Sequence, residues 1–293
     1  MALKAKAPEQ VVPTKPKFMI SGEAKVGKTM FSLQFPRPYF IDVEGGGVRE
    51  QYTDALKKSG GVYMGKDEGS QDFDVVIQQV KELTQTEHPY KTLIIDSFTW
   101  LYLLEAAEAE EKGGSEYGRD KKEANKPTRQ LIRALEKIDM SVILICHSKQ
   151  EWKKVPGSKE RELVGSTFDG FEKLNYIYDL WLEILKGGRA MMVRGSRITS
   201  FREGDSFPAT YEQFSKLYGA DIIERESVPV IFATDEQLKR TIQLVEALKV
   251  PQEMIDKWFK VSNVEEWKEM NSIQIQKCIE LMEQKIIQLG LTK

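Results

Sequence analysis

Eight consecutive residues, Gly22-Glu23-Ala24-Lys25-Val26-Gly27-Lys28-Thr29, satisfy the spacing G-x-x-x-x-G-K-[ST]. The chemistry of that spacing is a grip on phosphate. Glycines at 22 and 27 permit backbone conformations that a side chain would block, so the N–H groups from Glu23 to Thr29 can converge on phosphate oxygens. Lys28 then reaches the β- and γ-phosphates and Thr29 offers its hydroxyl to Mg²⁺. With Met30, the first residue after the loop, Gly22 to Thr29 are the candidate nucleotide-binding set; the spacing carries no signature of the base.

Three further residues stand where such a loop needs partners. Glu44 closes the run Tyr39-Phe40-Ile41-Asp42-Val43-Glu44 and precedes Gly45-Gly46-Gly47. It is a candidate base for an attacking water, or else it or Asp42 caps the following turn. Asp96 ends the apolar run Thr92-Leu93-Ile94-Ile95 and is the candidate metal partner beside Thr29. His147 follows Ser141-Val142-Ile143-Leu144-Ile145-Cys146; it either senses the γ-phosphate and holds the water or satisfies a neighbouring carbonyl.

The elements that position these residues follow from periodicity. Phe18 to Ile20 and the runs ending at Glu44, Asp96 and Cys146 read as buried strands of an open parallel sheet, whose carboxyl edge is where ligands bind. Helices are expected over 30–35, 48–58, 73–83 and 128–138, with Phe73, Val76, Ile77, Val80 and Leu83 as a core stripe. The charged run 105–126 reads as a solvated helix end followed by a mobile loop. Tyr178–Lys186 and Arg189–Val193, joined by Gly187-Gly188, read as a β-hairpin. Beyond about Val230 the pattern turns all-helical: Thr234 with Gln237 makes a capping box, Pro251 begins a second helix, Asn263 a short third, and Ile273–Leu289 the last. Leu238, Ile242, Val245 and Leu248 with Ile275, Ile279, Met282 and Ile286 read as that unit's own core. The expected division is a leader over 1–16, a core over 17–230 and a helical unit over 231–293.

Residues 149–172 read as a long polar loop. It carries Lys149, Trp152, Lys153, Lys154, Lys159 and Arg161, a set suited to single-stranded nucleic acid, where cations track phosphates and a ring stacks a base. A solvated loop with Trp152 tucked beneath has the same composition. Arg194 and Arg197, after the hairpin, are surface charges or arginines that act in trans on a neighbour's γ-phosphate.

The chain has 293 residues, enough for one large domain with an appendage. A 41% hydrophobic and 30% charged composition excludes a disordered chain. Net charge is −2, so any nucleic-acid surface must be local. Two cysteines, Cys146 and Cys278, far apart and in apolar or helical settings, read as buried thiols in a reducing cytoplasm. No run is long enough for a membrane span.

Taken in order, these parts resemble the RecA-type ATPase core over about residues 15–225. Phe40-Ile41-Asp42-Val43-Glu44 is similar to the segment carrying that family's catalytic glutamate, and Leu93-Ile94-Ile95-Asp96-Ser97 to its Mg²⁺-side strand. Ile143-Leu144-Ile145-Cys146-His147 stands where the family has a polar γ-phosphate sensor, here histidine rather than glutamine. Met192-Val193-Arg194-Gly195-Ser196-Arg197 resembles the segment acting across the subunit interface, with a spacing one residue longer. More narrowly, the compact core, the Val-Arg-Gly-Ser-Arg turn and the helical tail resemble phage-encoded RecA-like single-strand annealing ATPases, the Sak group. The resemblance implies an α/β RecA-like P-loop core with a small C-terminal helical appendage, and a Mg²⁺-dependent ATPase stimulated by single-stranded DNA. It also implies self-assembly into a ring or filament, a host or phage single-strand-binding protein as partner, and work in the host cytoplasm with no membrane. The rivals are a P-loop nucleotide kinase and an ATP-gated adaptor or loader without turnover.

Overall fold

The protein is seen as a computed structural model that describes residues 13–46, 49–113, 119–154 and 161–288; the side chains of 112–125, 153, 154 and 164 are left aside. Its elements run β1 (Lys17–Ser21), α1 (Lys28–Ser32), β2 (Pro38–Asp42), α2 (Glu50–Ser59), β3 (Val62–Met64), α3 (Phe73–Gln85), β4 (Thr92–Asp96), α4 (Phe98–Gly113), α5 (Arg119–Lys137) and β5 (Ser141–Ile145). There follow β6 (Ser148–Lys154), β7 (Arg161–Phe168), α6 (Leu174–Ile177), β8 (Leu180–Ile184), β9 (Ala190–Ser196), β10 (Ser206–Pro208), α7 (Tyr211–Tyr218), α8 (Ala220–Glu224), α9 (Asp235–Ala247), α10 (Gln252–Ser262) and α11 (Ser272–Gln288).

Eight strands form one sheet in the order β10-β9-β8-β1-β5-β4-β2-β3. The six from β8 to β3 are mutually parallel, whereas β9 and β10 are antiparallel additions at one edge. The fold is therefore the mostly parallel α/β sheet with flanking helices that the strand-and-helix alternation implies, with a hairpin near its end. Strand β1 lies between β5 and β8, and Phe18, Met19 and Ile20 are fully buried there, which explains a strand apolar on both faces. On one face Phe18, Ile20, Phe40, Ile94, Ile143 and Ile145 pack with Phe31 of α1, Leu56 of α2 and Phe214 of α7. The Phe18 and Phe214 rings stack at 4.8 Å between centroids. Alternate residues Met19, Ile41, Leu93, Ile95 and Leu144 are buried as well, so both faces of the sheet are covered.

The chain divides into two compact units. One comprises Met1–Val76, Pro89–Thr128 and Asp139–Ser227; the other comprises Ile77–His88, Arg129–Ile138 and Val228–Lys293. The second has its own core, in which Leu244, Val264, Met270, Ile275, Cys278, Ile279 and Met282 are buried. Thr234 caps α9 with Gln237 in the reciprocal box. Ile242, expected in this core, is half exposed, and Asn263 ends α10 in the left-handed conformation rather than starting a helix. Both cysteines are free and buried.

Four further sequence expectations are corrected. Within 149–172, expected to be loop, residues 149–154 and 161–168 are strands: β6 and β7 pair as an antiparallel two-stranded sheet, with a register shift at Glu151/Trp152. These strands carry charges on both sides and so lack the alternation that betrays a half-buried strand. The stretch 119–126, expected to be loop, opens α5, which continues through Pro127. Strand β2 stops at Asp42, leaving Glu44 two residues past it. Lys15, placed in the leader, is buried, and its Nζ donates to the Arg225 carbonyl at 2.6 Å.

Candidate functional site

Between β1 and α1 the phosphate loop turns on Gly22, whose φ is +152°. A Cβ there would stand 2.8 Å from the Ile184 carbonyl oxygen of β8, so the position admits only glycine. The Lys28 ammonium lies across the loop, donating to the carbonyls of Gly22 and Glu23 at 2.8 Å each. Burial holds its pKa below the ordinary lysine value. Such a cation, inside a curl of backbone N–H groups at a helix start, fits a triphosphate.

All four chemistry-bearing segments leave the sheet at the carboxyl ends of adjacent parallel strands. Asp96 is the last residue of β4, directly across from Asp42 of β2 and Ile145 of β5. Glu44 follows β2, with the backbone N–H groups of Val43 and Glu44 donating to the Asp96 carbonyl at 2.8 and 3.4 Å. The turn-capping acid is Asp42, whose Oδ1 accepts from the N–H groups of Gly45 and Gly46 at 2.9 Å each. That leaves the Glu44 carboxylate to face the pocket.

The Thr29 hydroxyl donates to Asp96 Oδ2 at 2.5 Å. A hydroxyl and a carboxylate so paired, beside the phosphate grip, suit Mg²⁺: Thr29 would ligate it and Asp96 would hold one of its waters. Burial pushes the Asp96 carboxyl up to about 6, against which the Thr29 hydrogen bond acts. Across the pocket His147 Nε2 lies 2.6 Å from Glu44 Oε1. This hydrogen bond lowers the Glu44 pKa and raises that of His147. Ser97 acts on the Glu44 pKa in the same direction.

These groups line one cavity of about 410 Å³: Gly22 to Lys25, Gly27 to Thr29, Glu44, Asp96 and His147 are all on its wall. Val26 and Met30 are not. Val26 packs on Gly22, and Met30 borders a separate hollow between α1, α2 and α7. Two wall residues escaped the sequence reading, Arg49 and Tyr52; Ser148, which follows His147 at the same sheet edge, is on the wall as well. The triple glycine after Glu44 was the available signal, because a helix starting just beyond a turn at the ligand edge must present its first residues there. Gly188 was also missed. At φ +69° a Cβ on it would lie 2.5 Å from the Val26 carbonyl oxygen, so the β8–β9 turn braces the phosphate loop from outside.

The hairpin β6–β7 is rooted on His147. Ser148 begins it, and at its return the Asp169 N–H donates to the His147 carbonyl at 2.7 Å. Lys149 pairs with Asp169 at 3.1 Å. Trp152, half exposed, stands opposite the equally exposed Leu163 rather than tucked beneath. Lys153 and Lys154 pair by backbone with Glu162 and Arg161, and Arg161 is exposed; Lys159 lies outside the described residues. Arg194 and Arg197 do not reach the cavity of their own chain. Arg194 Nη2 donates to the Ser166 carbonyl at 2.9 Å and its Nε lies 3.4 Å from Glu183. Arg197 bonds Asp179 at 3.1 Å and the Tyr176 carbonyl at 2.8 Å.

A mostly parallel sheet carrying a phosphate loop after its central strand, with a hydroxyl–carboxylate pair set for Mg²⁺, defines a P-loop ATPase that binds ATP with Mg²⁺. Within that class the chain belongs to the AAA domain family, whose profile matches residues 14–210. No curated protein matches it. Among solved structures it is similar to the pCW3 conjugation coupling protein TcpA, in monomer form with ATPγS, at 12% identity and a TM-score of 0.36, over 72% of this chain and 64% of that one. It is similar also to an ATPase of the type III secretion system of pathogenic bacteria, at 12% identity and 0.38, over 97% and 89%. A third is the assembled ATPase EscN of enteropathogenic E. coli, at 13% identity and 0.37, over 92% and 66%. The chain thus spans less than two thirds of the coupling protein and of EscN. No helix among the described residues is long and apolar enough to cross a membrane.

Proposed function

We propose that the chain hydrolyses ATP while assembled on single-stranded DNA and promotes strand annealing, as the phage-encoded annealing group its motifs resemble would do. One observation carries this reading: both roots of the hairpin bearing Trp152 close on His147, whose ring bonds Glu44. A pull on the hairpin therefore reaches the candidate base through a single residue. In this reading the loop N–H groups and Lys28 hold the phosphates, Glu44 takes a proton from the attacking water, and His147 releases or restrains Glu44 as the hairpin moves. Mg²⁺, held by Thr29 and through water by Asp96, would supply charge neutralisation between the β- and γ-phosphates.

Lys149, Trp152, Lys153, Lys154, Lys159 and Arg161 form the DNA surface of the proposal, the cations on phosphates and the ring on a base. Arg194 and Arg197 would exchange their present partners for a neighbour's nucleotide, which makes a ring or filament the active state. The core over 17–230 would turn over ATP and the helical unit over 231–293 would serve assembly or partners, a single-strand-binding protein of host or phage among them. The setting is the host cytoplasm.

The test is annealing of two complementary fluorescent oligonucleotides with ATP and Mg²⁺. Acceleration by the protein, lost in Lys28→Ala, supports the reading. No acceleration, with phosphate passed instead to a nucleoside monophosphate, assigns a kinase; ATP bound without turnover assigns an adaptor.

A further inference from the structure

The helical unit holds a second pocket, of about 200 Å³, lined by Lys81 of α3, Arg133 and Lys137 of α5, the Phe232 ring and Glu269 among others. Arg133 is nine-tenths buried and only its Nη1 is satisfied, donating to Glu265 at 2.9 Å. Among the described residues its Nε and Nη2 have no hydrogen-bond partner, although Glu269 approaches Nε at 3.7 Å. Those two N–H groups form the side of the guanidinium fork that takes two oxygens of one oxyanion. Leaving them unbonded in a buried site is costly, and a ligand that accepts from them removes the cost. Lys137 donates to the Glu269 carbonyl at 2.8 Å and stands 5.8 Å above the Phe232 ring. Its pKa is lowered, first by burial, with Arg133 and Lys81 adding like charge.

We infer that this pocket binds a phosphate monoester. Four cations, Lys81, Arg133, Lys137 and Lys268, line it against the one wall carboxylate, Glu269; a phosphate monoester, which carries a charge of about −1.5 to −2 at neutral pH, suits that wall better than a single carboxylate. Arg133 receives two phosphate oxygens, Lys81 and Lys137 neutralise the remainder, and Phe232 walls the group attached to the ester oxygen. The source is a small phosphorylated molecule or the 5′-phosphate of a nucleic-acid strand, and the site is independent of the proposed DNA hairpin.

The experiment uses the full chain with its ATP site saturated by MgADP. Acylation of Lys81 and Lys137 by an amine reagent is mapped by mass spectrometry with and without inorganic phosphate, and oligonucleotides with and without a 5′-phosphate are compared by fluorescence anisotropy. Phosphate should protect both lysines, and Arg133→Lys, which keeps the charge but loses the fork, should weaken protection about tenfold, as expected when a charge-assisted bond is lost. Lys81→Ala, which leaves the Arg133–Glu265 contact in place, should weaken it too, so the inference does not rest on a variant that fails to fold. Protection together with tighter binding of the 5′-phosphorylated strand assigns the strand end; protection without that preference assigns the small molecule. No protection by phosphate, or protection only by an acidic peptide, overturns the inference.

Discussion

His147 and Glu44 stand 103 positions apart in the chain and meet at 2.6 Å, Nε2 to Oε1, over the edge of the sheet that carries the phosphate loop. The contact joins the two residues best placed to act on water beside a γ-phosphate, and it gives each a displaced pKa. Glu44 is held below the ordinary carboxylate value and His147 above the ordinary imidazole value, each by its hydrogen bond to the other. In the proposed function Glu44 is the base and His147 the partner that restrains or releases it.

Replacing Glu44 by Gln keeps the shape and removes the proton acceptor. ATP affinity should stay within about twofold while phosphate release falls by about 100-fold or more, the usual loss for a general base. Equilibrium binding of a fluorescent ATP analogue and steady-state phosphate release measure the two separately. Near wild-type hydrolysis in Glu44→Gln would put the base elsewhere.

The ionised pair has a defined pH window. His147 has a folded pKa raised above 6.5, so its contribution is complete below 6.5 and is lost as pH climbs through the raised value. Glu44 has a folded pKa lowered from 4.5, so its contribution is present above 4.5 and is lost as pH falls through the lowered value. Proton NMR of the His147 ring should give a midpoint above 6.5 in the wild type, falling in Glu44→Gln, where the raising contact is gone and burial and the Lys28 charge lower it. A wild-type midpoint at or below 6.5 would mean that the contact does not persist in solution.

Asp96 titrates in the opposite sense. Burial raises its carboxyl from 3.8 to about 6, so it is neutral below that pH and ionised above it. If Asp96 holds a Mg²⁺-bound water as proposed, only its ionised form would do so and protons would compete with the metal: half-saturating Mg²⁺ for hydrolysis should be about tenfold higher at pH 5 than at pH 7. Asp96→Asn should need high Mg²⁺ at both pH values, which separates this titration from that of the nucleotide. Equal pH dependence in the two proteins would remove Asp96 from the metal.

Gly188 braces the phosphate loop without touching the cavity. A Cβ there would press on the Val26 carbonyl oxygen at 2.5 Å, in a backbone at φ +69° that costs a side chain about 1–2 kcal/mol before any clash. Gly188→Ala should therefore lower the melting temperature and weaken ATP binding together. Gly187→Ala is the control, because nothing lies within 4 Å of its Cβ, and it should leave ATP affinity unchanged.

How much of this was legible depended on burial. The parallel strands announced themselves because residues such as Leu93, Ile94 and Ile95 are buried on both faces, and the loop after β1 because its glycines and Lys28 are chemically obligatory. Thr234 and Gln237 marked their helix start by a local hydrogen-bond exchange that needs no tertiary partner. Hairpin β6–β7 was read as loop because Ser148-Lys149-Gln150-Glu151-Trp152-Lys153-Lys154 is polar or charged at every position but Trp152 and so shows no alternation. The opening of α5 failed for a similar reason: Arg119 to Glu123 is all charge, a composition shared by helices and solvated loops. Arg49 and Tyr52 were legible only as the start of a helix beyond the glycine turn, and the contact of Gly188 with Val26 is tertiary placement that no local pattern encodes.

The most direct test of the central claim is steady-state phosphate release at saturating MgATP, with and without single-stranded DNA. The account predicts that DNA raises the rate of the wild type several-fold or more, and that His147→Ala and the triple variant Trp152→Ala/Lys153→Ala/Lys154→Ala lose the increase while still binding ATP. A rate indifferent to DNA in the wild type, or stimulation that survives in both variants, would contradict it.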